Sequence, residues 1–238
     1  MFDIWTLVLV MPAIGFSFLV RQRCMSTLKR YSQVAAKSGQ TGQQVADRML
    51  ELNNLSGGTV PIRAVQGAWS DHFARGKKAQ NGKVAQWIGL SEPVHGVASI
   101  SATAVAAHEV GHAIQFNSGY KLMKLRTAIR PVSTFGSRFG PWVASMGIMF
   151  GFGPLLNIGI VLFSGAVLFS LLTLPSELNA SSRALAILRD NNMLAPDEIP
   201  GARKALNAAA MTYFAALLVN CMHLIRLILL SRRRGRRR

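Results

Sequence analysis

Three long apolar blocks alternate with mixed stretches along the 238-residue chain. Ile4 to Val20 carries no charge, close to the lower limit of about 17 residues for a spanning helix. No charged residue lies between Arg138 and Glu177 either. A single helix there would be nearly twice the roughly 30 Å hydrocarbon thickness. Two spans with a turn between Gly151 and Gly159 are predicted instead, because glycine and Pro154 punctuate helices. Such a hairpin returns Glu177 to the side that Arg138 left. In the third block, Leu206 to Leu230, the residues Asn220, His223 and Arg226 recur every three positions as one polar stripe. That stripe tilts the reading towards an interfacial or partly inserted helix rather than a plain crossing.

The mixed stretch, 21–138, has shorter periods. Thr41 to Asn53 reads as an amphipathic helix with Gly57-Gly58 as its stop. Thr59 to Gln66 and Lys83 to Leu90 read as strands, separated by a basic loop from Gly76 to Gly82. Ser99 to Asn117, rich in Ala and Val, reads as a buried helix. The expected fold is a mainly α integral membrane protein with a small β element. Its parts are an anchor (1–20), a cytoplasmic region (21–138), a transmembrane hairpin (139–176), a helix and loop (177–205) and an apolar helix with a basic tail (206–238).

Composition supports this. Hydrophobic residues make up 50% of the chain and charged residues 16%, against roughly a quarter in soluble domains. Disorder and fibrous repeats are excluded by the same figures. The net charge of +17 has six arginines in the tail Arg232 to Arg238, with others beside apolar runs. That placement suits a bilayer, with anionic lipid at the tail, and no aromatic-interleaved basic platform points to nucleic acid. Met1-Phe2-Asp3 lacks the basic start of a signal peptide, whereas Arg21 and Arg23 follow the first block. An uncleaved anchor with a cytoplasmic continuation is therefore expected. Cys24 and Cys221 make no disulfide framework, which fits a reducing compartment.

Within the Ala/Val-rich helix stands His108-Glu109-Val110-Gly111-His112. Residues four apart share a helix face, so both imidazoles can bind one cation, and Glu109 can serve as general base without being a ligand. Two histidines satisfied by core carbonyls are the plainer alternative, but neither ring has an evident task in an apolar core. Zinc needs a third protein ligand and an open fourth position. Asp3 falls on the wrong side of the first span, Glu51 on the solvent side of a short helix, and Asp197-Glu198 in a Pro-flanked loop. Two candidates remain. Glu177 lies at the hairpin's exit, where a metal would offset the cost of a carboxylate, and Glu92 lies in a loop before the metal helix.

The layout resembles the membrane gluzincins: HExxH on one helix, a transmembrane hairpin, then Glu-x-x-Ala. It is most similar to the bacterial neutral zinc metallopeptidases called YugP-like. The likeness runs through Leu90-Ser91-Glu92-Pro93-Val94, Ala106 to Gln115, Leu174-Pro175 and Asn179 to Leu185. It implies a bacterial cell-membrane protein with a gluzincin-like core, in which His108, His112 and Glu177 bind Zn2+ and Glu109 is the catalytic base. Peptides or membrane proteins would be cleaved on the cytoplasmic side. A zinc-binding membrane protein without peptidase activity is the alternative. Related peptidases have Asp where this chain has Ser181, one turn after Glu177, so a hydroxyl would support a ligand histidine there. Asp71-His72-Phe73-Ala74 stands where relatives carry a substrate-contacting segment, which makes His72 a candidate hydrogen-bond donor to substrate. The same likeness casts Lys83 to Leu90 as the edge strand that takes an extended peptide. Arg183 is expected to pair with a carboxylate or a lipid head group, Gly111 to admit a close helix, and His95 and His223 to be structural.

Overall fold

The computed structural model describes residues 3–78 and 84–235, and the chain divides into two compact units. One comprises Met1–Gln22, Lys121–Ser176 and Ala210–Arg238; the other comprises Arg23–Tyr120 and Glu177–Ala209. The elements in order are α1 (Met11–Ser32, continuing a π-helical start at Thr6–Val10), α2 (Gly42–Leu52), β1 (Ile62–Val65), β2 (His72–Lys78), β3 (Val84–Ser91), α3 (Glu92–His95), α4 (Ile100–Asn117), α5 (Lys121–Met149), α6 (Gly153–Asp190) and α7 (Ile199–Gly235). The protein is mainly α, as its apolar blocks imply.

Among the described residues, three helices are long and apolar enough to cross a membrane: Thr6–Ser32, Gly153–Asp190 and Ile199–Arg232. The first arm of the expected hairpin is not one of them. Helix α5 starts at Lys121 and carries Lys124, Arg126, Arg130 and Arg138, which dilute its apolar character. The turn to α6 comes at Phe150–Phe152, at the start of the expected window, with Gly151 at φ 73° in the left-handed region that glycine tolerates. Helix α6 then runs through Pro175 to Asp190 without a break.

In the first unit, α5 meets α6 along Gly136, Gly140, Ala144 and Gly147, the small-residue spacing that lets helix backbones approach in lipid. A Cβ at Gly140 would lie 2.9 Å from the Phe163 nitrogen and 3.0 Å from the Gly159 oxygen. The polar stripe of α7 is spent on helix pairing. Asn220 donates to Ser170 Oγ at 2.8 Å, the His223 ring meets Phe163 edge-on, and Arg226 reaches Asp3 Oδ2 at 2.6 Å. The stripe thus packs α7 along other helices instead of facing head groups. Phe135, Trp142, Val161 and Leu171 remain exposed, as lipid-facing side chains would be.

In the second unit, Thr41 and Gln44 close a capping box on α2, so this helix begins where the sequence predicts. Val45, Ala46, Met49 and Leu50 pack with Ile88, Leu90, Val110 and Leu188 into one core. The sheet order is β1-β3-β2, with β1 parallel and β2 antiparallel to β3. Two strand expectations change. The predicted edge strand, observed as Val84–Ser91, is central, because Gly76-Lys77-Lys78 belongs not to a loop but to β2, which covers one side of it. Alternation along β2 is masked by Gly76 and paired lysines, which read as a turn. The remainder of the predicted loop, 79–82, lies outside the described residues.

Candidate metal centre

Helix α4 is built for burial: Ala102, Ala104, Ala106, Ala107, Val110 and Ala113 are fully covered. Ser99 caps it, its side chain accepting from the Ala102 N–H. Against it lies the far part of α6. A Cβ at Gly111 would come within 2.6 Å of the Ala180 carbonyl oxygen, so only glycine permits this approach. The close crossing carries Glu177 to the paired rings.

His108 Nε2 and His112 Nε2 both lie 3.2 Å from Glu177 Oε2. These three residues alone, among those described, form a cluster whose ligand atoms converge within 4.8 Å. A tetrahedral ion with bonds of about 2.0–2.1 Å requires ligand–ligand edges of about 3.3–3.4 Å, close to the two histidine–carboxylate distances. Three lone-pair-bearing atoms at such distances repel unless a cation or protons lie between them, so the donor set fits zinc. Glu92 takes no part: it is exposed at the start of α3. Asp3 is engaged by Arg226, Glu51 is exposed, and Lys37 pairs with Asp197 while Glu198 accepts from the backbone N–H groups of Lys37 and Ala195.

Glu109 is 7% exposed and follows the first ligand on α4. Burial raises its carboxyl above the ordinary carboxylate range; the two imidazoles oppose this, and Glu177 and Asp71 add to it. For His112, burial works against the charged ring, but the Glu177 carboxylate outweighs it and holds the ring above its ordinary value. Asp71 is raised by burial despite accepting hydrogen bonds from Ser91 N (2.7 Å) and Ser91 Oγ (2.8 Å).

Each ligand ring has a second partner. Ser181 Oγ lies 3.0 Å from His108 Nδ1. Gln115 Oε1 lies 3.0 Å from His112 Nδ1, while Gln115 Nε2 donates to Asn179 Oδ1 at 3.0 Å. Gln115 and Asn179 belong to no metal-ligand motif, although Gln115 stands three residues beyond His112 and so shares its face. Arg183 also differs from expectation. Its Nε donates to Asn179 Oδ1 at 2.8 Å and its guanidinium lies over Tyr120, so its partners are an amide and a ring instead of a carboxylate. His72 does not join the ligands. It opens β2, exposed, with Nδ1 2.8 Å from the Ser70 carbonyl oxygen and its ring over Gly89.

The family described as "Putative neutral zinc metallopeptidase" matches residues 6–232. The chain is 40% identical over 222 residues to the "Putative membrane protease YugP" of Bacillus subtilis (strain 168), covering 93% of this chain and 94% of that one. No solved structure matches. A match that spans all three ligand candidates and nearly the whole chain shows that this protein belongs to the neutral zinc metallopeptidase family.

Proposed function

We propose that the chain is a membrane-embedded zinc endopeptidase with a gluzincin-like core. The observation that carries this reading is the meeting of His108, His112 and Glu177 around one point, with buried Glu109 beside it. A structural zinc site has no use for Glu109. The relative's printed name, a membrane protease, points the same way.

His108 and His112 would each give a ring nitrogen and Glu177 an oxygen, leaving a fourth position open. Zinc held there supplies Lewis acidity towards a peptide carbonyl and makes water acidic near neutral pH. Glu109 takes the proton of the attacking water and delivers it to the leaving amine. Its raised pKa suits a group that must keep that proton between the two transfers. The peptide-binding role first expected of Lys83 to Leu90 is reassigned to β2, an edge strand whose only described partner is β3. An extended peptide adding there would run past Asp71, whose charge is felt by Glu109. His72, on the same strand end, is assigned a hydrogen bond to the substrate carbonyl.

The ion pair between Asp3 and Arg226 ties α7 to the start of the chain. Arg21 and Arg23 follow the apolar first half of α1, and Lys29 and Arg30 stand in its last turn. These four cations directly follow the uncharged stretch Ile4 to Val20, on the side where the chain continues into the metal-binding region. The positive-inside rule then favours a cytoplasmic site, with peptides or membrane proteins exposed at that surface as substrates. The basic tail is assigned to anionic lipid head groups.

The test is metal content and cleavage of an unstructured protein by the purified full chain, before and after chelation. Zinc-dependent cleavage is expected. Zinc bound without cleavage would leave a metal-binding membrane protein in place of an enzyme, and equal cleavage of soluble and membrane-anchored substrates would remove the membrane-substrate assignment.

A further inference from the structure

Three hydrogen bonds in series run from Arg183 through Asn179 and Gln115 to His112, and their chemistry allows one direction only. An arginine N–H can donate and never accept. Arg183 Nε therefore requires the oxygen of Asn179, and that oxygen also lies 3.0 Å from the Gln115 amide nitrogen. With its nitrogen committed to Asn179, Gln115 presents its oxygen to His112 Nδ1 at 3.0 Å. That oxygen can only accept, so Nδ1 must carry the proton. The lone pair of His112 is thereby fixed on Nε2, the atom that faces Glu177. The other ligand ring has no such instruction, because the Ser181 hydroxyl beside His108 Nδ1 either donates or accepts.

We propose that Gln115 is a positioning residue for the metal, and that Arg183, through Asn179, sets the tautomer of His112 from three hydrogen bonds away. The inference rests on the zinc reading above for what the lone pair is used for. Glu177 by itself would favour a proton on Nε2, where the ring could donate to the carboxylate 3.2 Å away. The chain of amides opposes that arrangement and, in the neutral ring, keeps the lone pair on Nε2 for a cation. It also ties α4 to α6, since Gln115 belongs to the helix of the histidines and Asn179 and Arg183 to the helix of Glu177. Gln115 is fully buried, so water does not replace its oxygen at no cost.

The experiment uses the full chain in detergent. Zinc affinity is measured by competition with a chromophoric chelator, and the imidazole tautomers are read from 15N shifts of the metal-free protein at alkaline pH, where the rings are neutral. Loss of such outer partners typically weakens metal binding about 10–100-fold, and that loss is expected for Gln115→Leu. Gln115→Glu, which keeps an acceptor for Nδ1, should restore most of it. A merely structural glutamine would show no such rescue. Asn179→Leu should move the affinity in the same direction by less, which covers the case in which Gln115→Leu does not fold. In the wild type the His112 signal should show Nδ1 protonated, and Arg183→Leu should mix in the Nε2-protonated form. A wild-type ring protonated on Nε2 overturns the proposal, as does a Gln115→Leu protein that binds zinc like the wild type. A wild type that binds no zinc, yet shows the Nδ1 tautomer, sinks the zinc reading while the directed chain stands.

Discussion

The polar groups of the helical unit and those of the metal centre obey opposite rules. In the helical unit two polar contacts join a group to its complement: Arg226 meets Asp3, and Asn220 meets Ser170. In the metal centre, two imidazole nitrogens converge on one carboxylate oxygen, and that contact is matched only where a ring carries a proton on Nε2 or a cation takes its place. The first arrangement joins helices where water is scarce, and nothing needs to be added to it. The second is complete only with protons or a cation. Proximity of polar residues therefore says little by itself; whether the converging atoms match or repel separates a structural contact from a binding site.

The sharpest way to break this contrast is to remove the acceptor that both rings share. Glu177→Ala should abolish zinc binding and with it cleavage, whereas Glu92→Ala should leave both intact. Metal analysis of the purified proteins decides it. Zinc lost in the Glu92 variant and kept in the Glu177 variant would assign the third ligand wrongly.

The next largest effect separates holding the ion from using it. Glu109→Gln keeps the size of the side chain but cannot carry a proton, so cleavage should fall about 10²–10⁴-fold while zinc content stays at the wild-type level. Retained cleavage would remove the general base from the mechanism.

Much of the centre was legible because helical spacing is a local property. His108 and His112 share a face by virtue of four residues' separation, and Gly111 announced a close neighbour. Glu177 was reachable because an uncharged stretch of that length must double back. The edge strand was not legible. Whether β3 lies at an edge or in the middle depends on β2, whose glycine and lysines hide its alternation. The partners of Arg183, Gln115 and Asn179 were equally hidden, because amides pair across helices without any sequence period to show it. Nor did the stripe Asn220, His223, Arg226 reveal its purpose, since interfacial and helix-packing stripes look alike until the facing residues are known.

The contrast also predicts how the centre responds to acid. Because Glu177 holds His112 above its ordinary pKa, the protonated ring is favoured in the metal-free fold. That ion pair contributes stability that is full below the ordinary imidazole value and lost as pH rises through the raised one. Zinc competes for the same nitrogen with the opposite sign. Its apparent affinity should begin to fall while the pH is still above the ordinary imidazole value, by about tenfold per pH unit once the ring is protonated. Chelator competition across the neutral range measures it; an affinity flat down to the ordinary value would show that Glu177 does not favour the imidazolium.

The smallest effect belongs to the matched pairs. Asn220→Leu removes the donor to Ser170 Oγ at a site where hydrogen bonds between membrane helices average about 0.6 kcal/mol. A double-mutant cycle with Ser170→Ala, read by denaturant unfolding in mixed micelles, should return a coupling of about that size. Zinc content and cleavage should stay unchanged, because the pair only joins α7 to α6. A large fall in cleavage with normal zinc and normal stability would mean that this contact does more than hold helices together, and the line between matched and unmatched polar groups would have to be redrawn.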